Sequence, residues 1–197
     1  LMRRIQVVAQ LVIATLVGIW GSACATTAPS AAGPTIQLVK HFNAPDINGA
    51  EALDIQAGTA TLVALDQNQG RVAVIDISNP GNPRNVAMHD LNMPDGSQAT
   101  SIAVHPEYAY YLVTIQNPSS SASGWVEARG LTDGALLTRR PAGVAPDAVV
   151  ISPNGALALV CNEGEEFTFD SKARTFHSGP GSLTLFRLTA DANDLQE

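Results

Sequence analysis

The stretch PDAVVISPNGALALVCNEGEE, residues 146–166, decides the fold. Residues 149–151 are apolar and β-branched, residues 152–155 (SPNG) form a tight-turn sequence, and residues 156–161 are a second apolar run. This order predicts a β-hairpin. Because both runs are almost continuously apolar, we expect the hairpin to be covered on both faces, as in stacked sheets.

The same strand pattern recurs along the chain. Residues 51–55 (EALDI), 100–104 (TSIAV) and 147–151 (DAVVI) align with one another at steps of roughly 48 residues. A period of this size, with strand character throughout, is typical of a β-propeller, in which each repeat forms a four-stranded blade.

The turn residues between apolar runs divide each repeat into strands. The first repeat predicts strands at residues 50–56, 61–66, 71–77 and 85–91, and the second at 101–104, 108–115, 125–129 and 135–138. In the third, the hairpin is followed by an insertion at 165–180 and by a strand at 182–188, and a lone strand is expected at 36–42. The predicted fold is therefore all-β, with blades at about 50–91, 100–141 and 147–197.

About three blades form an incomplete ring, because a closed propeller needs roughly four to eight of them. The fourth strand of the third repeat is due where the sequence reaches Glu197. We therefore expect the natural protein to be longer, with apolar, unpaired blade faces at both ends of this piece.

Composition and charge limit the class of protein. Of 197 residues, 45% are hydrophobic and 5% aromatic, with 16 Gly and 12 Pro, which is typical of a turn-rich globular domain. The formal net charge of -7 repels phosphate backbones, so no nucleic-acid partner is expected. Cys24 and Cys161 cannot form a disulfide framework, and Cys161 is expected to be a small, buried residue of an inner strand.

The N-terminus has the pattern of an export signal. Arg3 and Arg4 precede an apolar run at residues 5–20, which predicts a hydrophobic signal helix, and small residues follow to position 25. Three fates remain open: removal of residues 1–25 as a signal peptide, lipidation of Cys24 as in a lipoprotein, or retention as a membrane anchor. Residues 26–35 are expected to form a disordered tether and residues 36–197 the partial propeller.

The predicted location follows from this leader. We expect a protein exported from a bacterial cell to the periplasm, the cell surface or the medium. Contact with the membrane is expected only through the N-terminal leader or a lipid anchor.

Short motifs spread over the chain give a family resemblance. They are AEALD at 50–54, VIDISNP at 74–80, APD at 145–147, SPNG at 152–155, and LVCNEGE at 159–165 followed by GSLTL at 181–185. Together they resemble the choice-of-anchor I bacterial surface proteins. The resemblance implies a YVTN/WD40-like β-propeller of a seven-bladed type, exported and attached to the surface by varied means, of which this chain is the N-terminal fragment.

An acidic segment in the third repeat is the first candidate site. Carboxylate oxygens are hard ligands suited to Ca²⁺, which makes calcium the one cofactor that the sequence suggests. The alternative interpretation is solvated charge on a propeller loop. The candidate ligands are Glu163, Glu165, Glu166 and Asp170.

A second pair of acidic residues occupies equivalent positions in the repeats. Glu51 and Asp147 stand at the starts of inner strands, near the mouth of the predicted central channel. They are candidates for binding a cation or a polar ligand there, or for hydrogen-bonding to loop backbone.

The histidines and tyrosines give weaker signals. His41, His89, His105 and His177 are scattered without a metal-binding spacing. Tyr108 and Tyr110 alternate onto one strand face, where packing between blades is expected in preference to carbohydrate stacking.

The sequence contains no Ser elbow, no phosphate-binding Gly-rich loop before a helix and no Cys-x-x-Cys motif. We therefore expect a non-catalytic module that binds an envelope protein or polymer. The alternative is a Ca²⁺-dependent phosphoesterase of the alkaline phosphatase or phytase type, which some relatives' labels suggest, and a third hypothesis is a structural surface-layer component.

Overall fold

The computed structural model describes residues 38–41, 46–119, 121–164, 168–170, 172, 174–177, 179–190 and 192. The described part is built of antiparallel β-sheets that succeed one another along the chain. The predicted all-β class with propeller blades is confirmed. The signal helix, Cys24 and the tether lie outside the described residues, and no described helix has the length and hydropathy needed to cross a membrane.

The first two sheets are four-stranded meanders, and the third has three strands. Blade 1 contains β1 (Ala50–Gln56), β2 (Thr61–Asp66), β3 (Arg71–Asp76) and β4 (Arg84–Asp90). Blade 2 contains β5 (Gln98–Val104), β6 (Tyr110–Gln116), β7 (Ser123–Gly130) and β8 (Leu136–Val144). Blade 3 begins with β9 (Pro146–Ile151) and β10 (Leu157–Asn162), then a small hairpin of β11 (Thr168–Asp170) and β12 (Thr175–His177) precedes β13 (Ser182–Arg187), which pairs with β10.

The hairpin of blade 3 forms at the predicted turn. The backbone N–H of Gly155 donates to the carbonyl of Ser152 at 2.8 Å, and Gly155 has φ 69°, in the left-handed region that glycine adopts without strain. A side chain at Gly155 would meet the ring of His105 at 2.5 Å, so the turn also needs a residue without Cβ for packing. The hairpin β11–β12 inside the insertion was not predicted from the sequence.

The core consists of blade faces packed on each other. Alternate residues of β6 point to opposite sides, so Tyr111 and Val113 pack toward blade 1, whereas Tyr110 and Leu112 pack toward blade 3. All four of these side chains are buried. This explains why the sequence of β6 is apolar throughout: a blade between two neighbours has no wet face.

The outer face of blade 3 differs from the prediction. Val149 and Val160 are buried against blade 2, but Val150 is 59% and Leu183 66% exposed, and Cys161 is exposed as well. The expectations that the hairpin is covered on both faces and that Cys161 is buried are therefore wrong for the described residues. The reason is that within this part of the chain only one side of the sheet has a neighbouring blade.

A histidine joins the three blades. His105 is 1% exposed; its main-chain carbonyl accepts from Nε2 of Gln56 at 2.6 Å, and its own Nε2 lies 3.0 Å from the carbonyl of Gly155. The backbone N–H groups of Glu107 and Tyr108 donate to Nδ1, so Nε2 carries the proton. Burial lowers the pKa of His105 from its ordinary value, against the opposing effect of the Gly155 hydrogen bond.

The lone strand expected at residues 36–42 is not seen where the structure describes this segment. Residues 38–41 are not in a strand, and Leu38 is 81% exposed. The remaining residues of that prediction lie outside the described part of the chain.

Candidate functional site

A charged cluster lies on the face of blade 2 that packs toward blade 1. Because side chains alternate along a strand, Trp125, Glu127 and Arg129 share one face of β7. Arg139 of β8 is the direct cross-strand partner of Glu127. We call these four residues the Glu127 cluster.

The Glu127 carboxylate is the centre of this cluster. It is fully buried, and it accepts from Nε of Arg129 at 2.7 Å, from Nε and Nη2 of Arg139 at 3.0 and 2.5 Å, and from the indole Nε1 of Trp125 at 3.1 Å. The guanidinium of Arg139 also lies 5.0 Å from the centre of the Trp125 ring. A buried carboxylate is stable only when hydrogen bonds and opposite charge replace its water, and two guanidinium groups supply both.

Arg129 connects the cluster to blade 1. Its Nη1 donates to the carbonyl of Gly134 at 3.0 Å, and its Nη2 donates at 2.5 Å to the carbonyl of Leu91, which directly follows β4. The Arg129 side chain is 6% exposed. The guanidinium is therefore fixed by one carboxylate and two carbonyls, at the boundary between the two blades.

His89 of β4 lies at the same boundary. Its ring stacks on that of Tyr111 with centroids 6.1 Å apart, and its Nδ1 is 3.3 Å from the Tyr111 hydroxyl. Burial raises the pKa of Tyr111, so the phenol keeps its proton. The hydroxyl and Nδ1 therefore form one hydrogen bond, in which the donor depends on the tautomer of His89.

The Nε2 atom of His89 is buried and has no hydrogen-bond partner among the described residues. His89 is 6% exposed, and Gly134 lies against its Cβ, Cγ and Cδ2, so that a Cβ at position 134 would stand 2.6 Å from the ring. A buried polar atom of this kind is uncommon in a folded protein and calls for a partner.

An open cleft of about 520 Å³ lies over these residues. Its walls come from the end of β4, from the turn after β7 and from the start of β8. The residues that line it are Met88, His89, Asp90, Leu91, Asn92, Arg129, Asp133, Gly134, Ala135, Leu136 and Arg139.

The acidic segment predicted as a calcium site is mostly outside the described residues. Glu163 is exposed, whereas Glu165, Glu166 and the side chain of Asp170 are not described. Among described residues there is no group of three or more His, Cys, Asp or Glu side chains placed to hold a metal ion. The calcium site stays a prediction.

Glu51 and Asp147 occupy equivalent second positions of β1 and β9, and both are exposed. The inner strand β5 packs between those two strands, and its equivalent residue, Thr100, is buried and donates from Oγ1 to the carbonyl of Pro146 at 2.7 Å. Among the described residues, no third ligating group joins the two carboxylates, and their role at a channel mouth stays a prediction.

Tyr108 and Tyr110 both pack around His105. Their ring centroids lie 4.5 and 4.8 Å from that of His105, and Tyr110 is 2% exposed. Burial raises the pKa of Tyr110 to about 12. Tyr110 packs between blades 2 and 3, as expected, whereas the Tyr108 side chain is 38% exposed and stacks on His105 of its own blade.

The Glu127 cluster was not identified from the sequence. Its signal is the alternation Trp125-Val126-Glu127-Ala128-Arg129, in which charged residues occupy one face of a strand that the repeat places between two blades. Charged side chains on a strand face that must be buried indicate that they are paired with one another through ion pairs and hydrogen bonds. No comparable sequence pattern indicates that the end of β4 and His89 line the same cleft.

The blades and their packing define the class of this protein as a β-propeller. The family described as Choice-of-anchor I domain matches residues 51–197, and the chain belongs to this family. The predicted resemblance is confirmed.

Solved structures show a distant likeness at 13–19% identity. Hydrazine Synthase of Kuenenia stuttgartiensis is 19% identical with a TM-score of 0.47, over 74% of this chain and 38% of that one. A protein from Lactobacillus plantarum is 13% identical with a TM-score of 0.43, over 66% of this chain and 40% of that one. The Dos1 propeller is 14% identical with a TM-score of 0.37, over 66% and 47%. This chain thus spans less than half the length of each of them, and no curated protein matches it in sequence.

Proposed function

We propose that this chain is part of an exported cell-envelope β-propeller that acts by binding a protein or polymer ligand. The observation on which the proposal depends is the cleft between blades 1 and 2, where the Glu127 cluster holds Arg129 and Arg139 in fixed positions. Membership of the choice-of-anchor I family supports a location at the bacterial surface.

The geometry of the cleft suits binding. Arg129 has its three guanidinium nitrogens engaged, so its position is determined before any ligand arrives. Arg139 uses Nε and Nη2 for Glu127 and is 43% exposed, which presents the rest of its guanidinium to the cleft. Fixing the donors in advance lowers the entropic cost of binding.

Co-sedimentation of the purified chain with bacterial envelopes tests this proposal. We expect saturable binding, and pretreatment of the envelopes with protease or with periodate distinguishes a protein ligand from a polysaccharide. Arg139→Met is expected to weaken the binding, whereas Arg84→Met, which removes another exposed arginine on blade 1, is the matched control. Absence of saturable binding would overturn the proposal.

A hydrolysis assay addresses the enzymatic alternative. Phosphomonoester turnover is measured with Ca²⁺ and again with EDTA. Turnover that EDTA abolishes, and that Glu163→Ala or Asp147→Ala removes, would overturn the assignment as a binding module, whereas no turnover in either condition agrees with it.

A further inference from the structure

The side chains that line the cleft between blades 1 and 2 carry both signs of charge. Arg129 and Arg139 are matched by Asp90 and Asp133, which are both exposed, and the buried Glu127 lies behind them. A simple anion in the cleft would meet two aspartates, and a simple cation would meet Arg139. The charges therefore favour neither kind of ion.

Unused hydrogen-bonding capacity is also of both kinds. Arg139 is 43% exposed and has Nη1 as a donor beyond its two bonded nitrogens. Asp133 accepts the backbone N–H of Ala135 through Oδ1, which leaves Oδ2 as an acceptor. A hydroxyl group both donates and accepts, so it can pair with each of these groups.

Apolar surface is present between the polar groups. Leu136 is 47% exposed and lines the cleft. A pyranose ring has an apolar C–H face and a rim of hydroxyls, which is the combination that such a lining complements.

We propose that this cleft binds a neutral, hydroxyl-rich ligand, namely a saccharide unit of an envelope polysaccharide. The inference rests on the proposed binding function and gives the chemical class of its ligand. Hydroxyls of the sugar pair with Arg139, Asp90 and Asp133, and the ring face lies on Leu136.

Titration with a panel of neutral oligosaccharides built from glucose, galactose, mannose and N-acetylglucosamine tests the inference. Binding is followed by ¹H–¹⁵N NMR at the Arg139 Nε–H, since Arg139 lines the cleft, and at the indole of Trp125, which contacts Arg139. Acetate, phosphate and methylammonium are the ionic probes. We expect saturable shifts with at least one oligosaccharide and none with the three ions.

Two variants assign this binding to the cleft. Arg139→Met removes charge-assisted hydrogen bonds and is expected to weaken binding by about tenfold or more. Leu136→Ser makes no change in the Glu127 cluster and is expected to weaken binding while the melting temperature stays close to that of the wild type. Arg84→Met is expected to bind as the wild type does.

Three outcomes would overturn the inference: no oligosaccharide of the panel binds, an ion binds at the same resonances with equal affinity, or both cleft variants bind like the wild type. Envelope co-sedimentation of the same variants separates the two proposals. If the chain binds envelopes and neither cleft variant weakens it, the saccharide cleft is wrong; the binding function then stands, but its assignment to this cleft does not. If oligosaccharides bind in the cleft and envelopes do not, the proposed envelope function is wrong and the saccharide cleft stands.

Discussion

Glu127→Gln perturbs the centre of the Glu127 cluster while it keeps the size of the side chain. The carboxylate is fully buried and accepts from Arg129, Arg139 and Trp125. Glutamine replaces one of its two oxygens by a nitrogen that donates, so one guanidinium loses its acceptor. Both arginines also lose their counter-charge.

The contacts give the magnitude of this loss. Removing one partner of a buried ion pair costs about 3–5 kcal/mol. The Arg129 side chain is 6% exposed, so water hardly compensates the loss of its counter-charge. Arg139 is 43% exposed, and water screens its charge. We therefore expect Glu127→Gln to lower the free energy of unfolding by about 3 kcal/mol, at the lower end of that range. For a chain of this length the melting temperature falls by roughly 6–12 °C.

Urea denaturation followed by far-UV circular dichroism measures this difference. Glu107→Gln is the matched control, since Glu107 is exposed and its side chain lies outside the cluster. A double-mutant cycle with Arg129→Met is expected to give a coupling energy of about 1–3 kcal/mol between positions 127 and 129. If Glu127→Gln costs no more than Glu107→Gln, the carboxylate does not neutralise the buried arginine, and the reasoning is refuted.

Three further predictions concern the contacts between blades. Because burial lowers the pKa of His105 below its ordinary 6.5, the unfolded chain takes up a proton at this residue before the folded chain does. The contribution of neutral His105 to the free energy of unfolding is therefore fully present above pH 6.5 and decreases as the pH falls below it. Urea midpoints measured from pH 7.5 to 5 should decline more in the wild type than in His105→Gln. Gly155→Ala places a Cβ 2.5 Å from the His105 ring at φ +69°, and is expected to cost more than about 1 kcal/mol in urea denaturation. Tyr111→Phe leaves Nδ1 of His89 without its hydrogen-bond partner and is expected to cost about 1 kcal/mol, measured in the same way.

Each of these has an outcome that contradicts it. Equal pH dependence in the wild type and His105→Gln would mean that another group controls acid unfolding. An unchanged midpoint in Gly155→Ala would show that the turn rearranges without cost. Tyr111→Phe at wild-type stability would show that the hydroxyl contact with His89 contributes nothing to folding.

The strands and their order could be predicted because the same pattern of apolar runs and turn residues recurs in each repeat. Strand β2 (Thr61–Asp66) lies where residues 61–66 were predicted, and the turn at residues 152–155 joins β9 and β10 as expected. Apolar runs bounded by Gly, Pro and Asn fix the strands, and the period of about 48 residues fixes which strands share a blade.

The candidate site could not be predicted in the same way. Trp125, Glu127 and Arg129 alternate on a single strand, so their common face follows from the sequence. That Arg139 stands opposite Glu127 depends on the register of β7 and β8, which includes a bulge between Ala128 and Arg129. That the Leu91 carbonyl meets Arg129 and that His89 meets Tyr111 depends on how one blade packs on the next.

The sequence by itself thus determined the all-β class, the blades and the family. Only the tertiary structure decided which buried charges are paired, which face of blade 3 is exposed, and where the cleft lies. The physical reason is that strands and turns follow from preferences within a few neighbouring residues, whereas these features depend on contacts between residues tens of positions apart, such as the 38 that separate Leu91 from Arg129.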